Sequence, residues 1–234
     1  MNNSSDKQEV TPVNKRALII SALLRTILYA VIEAIILFTA AGRIDWLLAW
    51  LYLIGYSTYL FISQRFEPLE LKPLPGRRAI WESILGFIYN IMHPIILVLA
   101  GLEFNSYPQE FSLGVPVQGF TFVLLLATFA LMLWAEKVNP YYHTHVTRDE
   151  TWEQTIVTTG PYQFIRHPGY LGLILLALAR PLVLGSLLGL GPGFIGVLVI
   201  ILRTALEDRK LQNSVEGYKS YAQTVRYRLF EGIW

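Results

Sequence analysis

Long apolar runs separated by short polar punctuation are the first regularity of this chain. A helix rises 1.5 Å per residue, so about 20 apolar residues cover the roughly 30 Å hydrocarbon layer of a bilayer. By that measure the pattern predicts six spans, near 17–41, 45–63, 80–102, 119–138, 169–188 and 192–207. The last two are interrupted by Pro181, Gly185, Gly189, Gly191, Pro192 and Gly193, which predicts a tight or partly re-entrant hairpin. The first run carries Arg25 and Glu33 and follows a polar tail, so it reads as a permanent span and not as a signal peptide. The fold class expected is all-α: a polytopic integral membrane protein of about six transmembrane helices.

Composition agrees. Of 234 residues, 53% are hydrophobic and only 15% charged, where a water-facing protein carries roughly a quarter. A formal net charge of +2 is too small to point to a nucleic-acid partner. With no cysteine, the chain has no disulfide, thiolate metal site or thiol nucleophile.

The placement of Lys and Arg orients the chain. Lys7, Lys15 and Arg16 lie in the tail; Arg65, Lys72, Arg77 and Arg78 follow the second span. Lys137, Arg148 and Arg166 surround the 139–168 loop, and Arg209, Lys210, Lys219, Arg226 and Arg228 the C-terminal segment. Only Arg43 and Arg180 fall toward the other side. Both termini and the two longest polar segments are therefore expected in the cytosol, with residues 1–16 as a cytosolic tail and 17–133 as the N-terminal transmembrane helices. The membrane expected is the plasma or inner membrane of a bacterium, or the endoplasmic reticulum of a eukaryote.

Candidate chemistry gathers in the last hundred residues. The 139–168 loop and the 208–234 segment flank the final hairpin, so a watery wall meets a greasy one. Gly160-Pro161 signals a turn, and Pro168 suits a first helical position with His167 as the N-cap. Arg166 and His167 then stand beside a helix start that attracts an anion; the bland alternative is a lipid-phosphate anchor and a simple cap. Arg203 and Glu207 are four apart on one helix face, and at a membrane boundary such a pair is more often functional than decorative. Arg25, Glu33, Asn90 and His93 are read as structural. Glu136 and Asn139 are either site-facing or anchoring. His143 and His145 have no third ligand, so no metal is expected. Trp46, Trp50, Trp134, Trp152 and Trp234 read as an interfacial belt. No phosphate loop, dinucleotide fingerprint or nucleophile elbow occurs.

The run Val157-Thr158-Thr159-Gly160-Pro161-Tyr162 followed by Arg166-His167-Pro168-Gly169-Tyr170-Leu171-Gly172 resembles the isoprenylcysteine carboxyl methyltransferase family and its phospholipid methyltransferase relatives. So do Asn139-Pro140, Arg203-x-x-x-Glu207-Asp208-Arg209, Gly217-Tyr218-x-x-Tyr221 and Val225-Arg226-Tyr227-Arg228-Leu229, making 134–234 a methyltransferase-like catalytic region. The resemblance implies S-adenosylmethionine as cofactor, held between the loop before the last hairpin and the C-terminal segment. Gln154, Thr155, Ile156, Val157, Tyr162, His167, Pro168, Gly169, Tyr170 and Glu207 would bind it; Arg203 would hold the methyl acceptor, and Arg203 and Glu207 would be the catalytic pair. The family commonly shows Gly-His where this chain has Glu153-Gln154, whose amide can still hydrogen-bond.

The function implied is methyl transfer to a lipophilic acceptor entering from the bilayer, most simply the carboxylate of an isoprenylcysteine or a similar isoprenoid or lipid acid. A carboxylate needs no general base, and an arginine can clamp it with two hydrogen bonds. An amine headgroup, as in phospholipid N-methylation, would first lose a proton. A nicotinamide-dependent sterol-type reductase is disfavoured, because Gly169 and Leu173 stand where such reductases typically carry Asn and Glu. A non-catalytic remnant is disfavoured by the intact Arg203, Glu207 and Arg166-His167-Pro168.

Overall fold

A computed structural model of the protein describes residues 15–66, 79–106, 113–142 and 155–234. Among these there is no strand. The helices are α1 Lys15–Ala41, α2 Leu47–Ser63, α3 Ile80–Ser106, α4 Val115–Val138, α5 Pro168–Val183, α6 Leu190–Ser214 and α7 Tyr218–Thr224, with a 3₁₀ turn at Gly160–Gln163.

Each of the six predicted apolar segments forms a helix, but the helices are not equivalent. By length and composition, α1, α3, α4 and α6 can cross a membrane. At 17 and 16 residues, α2 and α5 fall short of the 20-residue measure. The reason at α5 is visible in its sequence: Pro168 sets its start, and it ends just ahead of Gly185, whose φ is +68°. Protein surrounds it instead of lipid, since it packs between α4 and α6 and touches α2 and α3. Helix length therefore supports four spans, fewer than the six expected.

Outward faces are largely apolar. Ile20, Leu24, Leu28 and Ile35 on α1, Val123 on α4 and Leu198 on α6 are all exposed. A soluble monomer rarely shows so much contiguous apolar surface; an integral membrane protein covers it with lipid. The interior is packed by Leu37, Tyr52, Leu97, Leu125, Leu176 and Val183. Helices α1 and α3 approach so closely at Gly101 that a Cβ there would lie 2.6 Å from the Leu37 carbonyl oxygen.

One polar pair inside the bundle joins two helices. Glu33 on α1 lies 2.7 Å from His93 Nε2 on α3, in keeping with the structural role expected of both. Arg180, expected at the outer surface, is instead buried at 4% exposure, its guanidinium carbon 5.1 Å from the Tyr56 ring centre. The hairpin turn places it one turn inside the end of α5, where an aromatic face replaces water. Trp46 also departs from the interfacial belt: it is buried and stacks on Phe104 at 4.0 Å. Trp50 and Trp134 are exposed as a belt requires, and Trp152 lies outside the described residues. At the end of the α5–α6 turn, Glu103 accepts hydrogen bonds from the Ser186 hydroxyl at 2.7 Å and from the Leu187 and Leu188 amides at 3.2 and 3.0 Å. One carboxylate from α3 thus fixes the hairpin that carries α5 and α6.

Candidate active site

At the opposite end of α5 and α6 the chain turns polar. Helix α4 stops at Val138, and Asn139 caps it in extended conformation. Its Oδ1 accepts the Tyr141 amide at 2.9 Å, and its Nδ2 donates to the Tyr162 hydroxyl, also at 2.9 Å. The predicted Gly160-Pro161 turn is the 3₁₀ turn, with Gly160 at φ +60°. It brings Tyr162 beneath α4; Tyr221 from α7 donates its hydroxyl to the Tyr162 carbonyl at 2.6 Å. Burial pushes the Tyr162 phenol up to about 12, the Asn139 hydrogen bond working the other way, so the ring keeps its proton at neutral pH.

Helix α5 begins at Pro168 with His167 before it, as expected, but the His167 side chain makes no cap hydrogen bond. Its Nε2 lies 3.2 Å from Asp208 Oδ1. Asp208, fully buried on α6, is the hub of this end of the molecule. It accepts from Arg166 Nε at 2.8 Å and Nη2 at 3.2 Å, from Gln212 at 2.8 Å, from the Tyr218 hydroxyl at 3.1 Å and from Arg228 Nε at 2.9 Å. Burial and the adjacent Asp208 charge push the Tyr218 phenol well up. Arg166 Nη1 donates to the Ala222, Val225 and Arg226 carbonyls at 3.3, 2.7 and 2.9 Å. The backbone amides of Arg166 and His167 donate to the Tyr227 and Arg228 carbonyls at 3.0 and 2.9 Å.

These contacts give Arg166, which also lines the cavity described below, a structural role that neither the anion-site nor the lipid-anchor reading had included. Its guanidinium is spent on Asp208 and on the C-terminal strap, and it is only 6% exposed. It is a positioning residue that ties residues 225–228 to the start of α5.

Glu207, next to Asp208, faces the other way. Successive helical residues are about 100° apart, so Glu207 turns with Arg203 toward a cavity of about 340 Å³. Tyr170 joins the two: Arg203 Nε donates to its hydroxyl at 2.9 Å, and the hydroxyl donates to Glu207 Oε2 in a short hydrogen bond. The direct separation of Arg203 Nε from Glu207 Oε2 is 4.0 Å, so the tyrosine carries the connection.

Around this cavity stand Thr155, Ile156, Val157, Tyr162, His167, Gly169, Tyr170, Arg203 and Glu207, all anticipated from the sequence. Pro168 does not line it; its ring is buried where it starts α5. Gln154, His143 and His145 lie outside the described residues. Asn139 lines the cavity, whereas Glu136 is buried and accepts from the Tyr59 hydroxyl at 2.8 Å, an anchoring contact. At Gly169 a Cβ would collide with the Tyr142 ring, so only glycine lets that ring close the wall. Tyr142, Tyr218 and Tyr221 line the cavity too, and so does Glu82 from α3. None of these four was anticipated as a cavity residue, although Tyr218 and Tyr221 stand within the C-terminal motifs.

An integral membrane protein, all-helical among the described residues, with a cavity of mixed polar and apolar lining at one end of its bundle is the class this architecture defines. Residues 120–213 match the model of the isoprenylcysteine carboxyl methyltransferase (ICMT) family, the family that the motifs resemble. The match starts in α4 and ends in α6, earlier at both ends than the motif-based region of 134–234. It covers Asn139, Arg203, Glu207 and Asp208, but neither Glu82 nor the α7 wall. No curated protein matches the chain.

Proposed function

We propose that this protein transfers a methyl group from S-adenosylmethionine to a lipophilic acceptor at the cytosolic boundary of the membrane, most simply to the carboxylate of an isoprenylcysteine or related isoprenoid or lipid acid. The observation that carries the reading is the Arg203–Tyr170–Glu207 relay on the wall of a cavity built largely from the stretch that matches the ICMT family.

The residues present fit the cofactor. A cavity of about 340 Å³ is within the range of small-molecule sites. Glu207 offers a carboxylate to ammonium or hydroxyl donors, and the Tyr142, Tyr162 and Tyr170 rings offer faces to a cationic centre. Thr155, Ile156, Val157, His167 and Gly169 complete the cofactor wall, with Gln154 and Pro168 assigned to it by the family resemblance alone. When bound, S-adenosylmethionine supplies a methyl group activated by a sulfonium.

The chain's own residues then orient and desolvate. Arg203 holds the acceptor carboxylate, and Tyr170 fixes the arginine by its hydrogen bond and by its ring, whose centre is 5.5 Å from the guanidinium carbon. No residue is required as a general base, because an ionised carboxylate is already the nucleophile. Holding both reactants near attack distance and excluding water supplies the rate. Six spans with both termini in the cytosol complete the reading, α2 and α5 crossing as short helices.

Incubating the purified protein with methyl-labelled S-adenosylmethionine and native lipid extract tests it. Label released by mild base identifies an ester and supports a carboxylate acceptor. Base-stable label on an amine headgroup moves the function to phospholipid N-methylation, and no labelled lipid at all refutes the proposal.

A further inference from the structure

Glu82 stands in the first turn of α3, outside the family-matching stretch. It is only 7% exposed and lines the cavity. One of its oxygens, Oε1, accepts from Lys210 Nζ on α6 at 2.7 Å; the other, Oε2, is buried with no hydrogen-bond partner. Buried acceptors are nearly always satisfied in native proteins, and a carboxylate oxygen is among the most costly to leave bare. An interhelical ion pair explains Oε1 and leaves Oε2 unexplained.

The neighbouring contacts fix where Glu82 sits. Gly86, one turn along α3, faces Arg203: a Cβ there would be 3.5 Å from the arginine Nη1. Glu82 meets Lys210, seven residues after Arg203. The two helices therefore run antiparallel, with Arg203 and Glu82 on the same side of the cavity about two turns of α6 apart. Lys210 occupies Oε1 and leaves Oε2 as an unused carboxylate acceptor of a residue on the cavity wall.

We propose that Glu82 is a ligand-binding residue of the methyl-transfer site, its Oε2 accepting a hydrogen bond from an N–H or O–H donor of a bound reactant. The proposal rests on the methyltransferase reading. It makes α3 a contributor to recognition in addition to the family segment. The donor is either an ammonium or hydroxyl group of the cofactor or a polar N–H or O–H of the acceptor, and a carboxylate oxygen recognises both in the same way.

Three variants of the full chain decide the matter: Glu82→Gln, Glu82→Asp and Lys210→Met. Each is measured for S-adenosylmethionine affinity by calorimetry and for the apparent KM in labelled-methyl transfer to titrated native lipid extract. Glu82→Asp keeps the charge within reach of the flexible lysine and withdraws the oxygen from the cavity. It separates ligand contact from ion pairing even where Glu82→Gln folds poorly. Loss of one charge-assisted hydrogen bond is expected to weaken one of the two constants about tenfold or more. A weakened cofactor constant assigns the donor to S-adenosylmethionine; a raised KM with normal cofactor affinity assigns it to the acceptor. The loss is expected to persist when Glu82→Gln is made in the Lys210→Met background. Both constants unchanged in Glu82→Asp, or a Glu82→Gln effect that vanishes without Lys210, overturns the proposal and leaves an ion pair. If unsubstituted protein neither binds S-adenosylmethionine nor transfers methyl, the methyltransferase reading fails and this proposal falls with it. That outcome is told apart because it appears before any substitution.

Discussion

Replacing Asp208 with alanine removes the carboxylate on which Arg166, Arg228, Gln212, Tyr218 and His167 converge. The pair with Arg166 dominates the cost, since the two side chains are 0% and 4% exposed. Deleting one partner of a buried pair strands the other charge and costs about 3–5 kcal/mol. Arg166 keeps three carbonyl acceptors from residues 222–226, which places the loss near the low end, about 3 kcal/mol. Arg228 is 30% exposed, so water replaces most of its share and it adds about 1 kcal/mol or less. Against a typical stability of about 5–15 kcal/mol the protein remains folded but loosened. Equilibrium unfolding in mixed micelles, run as a double-mutant cycle with Arg166→Met, reads this. Removing both partners strands neither member of that pair, so the double variant is expected to be less destabilised than the sum, by at least about 2 kcal/mol. Simple additivity, or an Asp208→Ala midpoint equal to that of the unsubstituted protein, would refute the hub.

Arg203→Ala and Glu207→Ala are each expected to lower methyl transfer by about a hundredfold or more, as loss of a charged transition-state contact does, with unchanged elution in gel filtration. Tyr170→Phe removes the relay hydroxyl and leaves Arg203 and Glu207 at their 4.0 Å separation; a drop in kcat without loss of folded protein is expected in steady-state assays. Gly169→Ala drives a Cβ into the Tyr142 ring, an overpacking worth about 1–3 kcal/mol, and weakened cofactor affinity by calorimetry is its signature. Tyr162 is pushed from 10.0 to about 12, so the stability it contributes is whole below pH 10 and is lost as pH rises toward 12. Comparing alkaline unfolding midpoints of the Tyr162→Phe variant and the unsubstituted protein checks that: the variant is expected to lose less over this window.

The bundle was readable because its strongest signal, apolar length, has a simple physical origin. Helix starts marked by Pro168 and Gly160-Pro161 were readable for a similar reason: each fixes a local backbone angle. The polar extension of α6 was not, because hydropathy ends near residue 207 while the helix continues to Ser214. That extension carries Asp208 and Lys210 to their partners. Adjacent acids 207 and 208 look alike in sequence, yet about 100° of helix rotation sends one to the cavity and the other into a buried hub. Arg166 was likewise legible as important but not as spent, since its partner lies 42 residues away. Glu82 had no local signal beyond a first-turn acid, and only the approach of α3 to α6 gives it a place in the cavity.

Direct titration of the purified protein with S-adenosylmethionine tests the central claim most closely. The account predicts saturable binding at one site per chain, competed by S-adenosylhomocysteine and lost in Glu207→Ala. Absence of saturable binding, or saturable binding of reduced nicotinamide dinucleotide in its place, would contradict it.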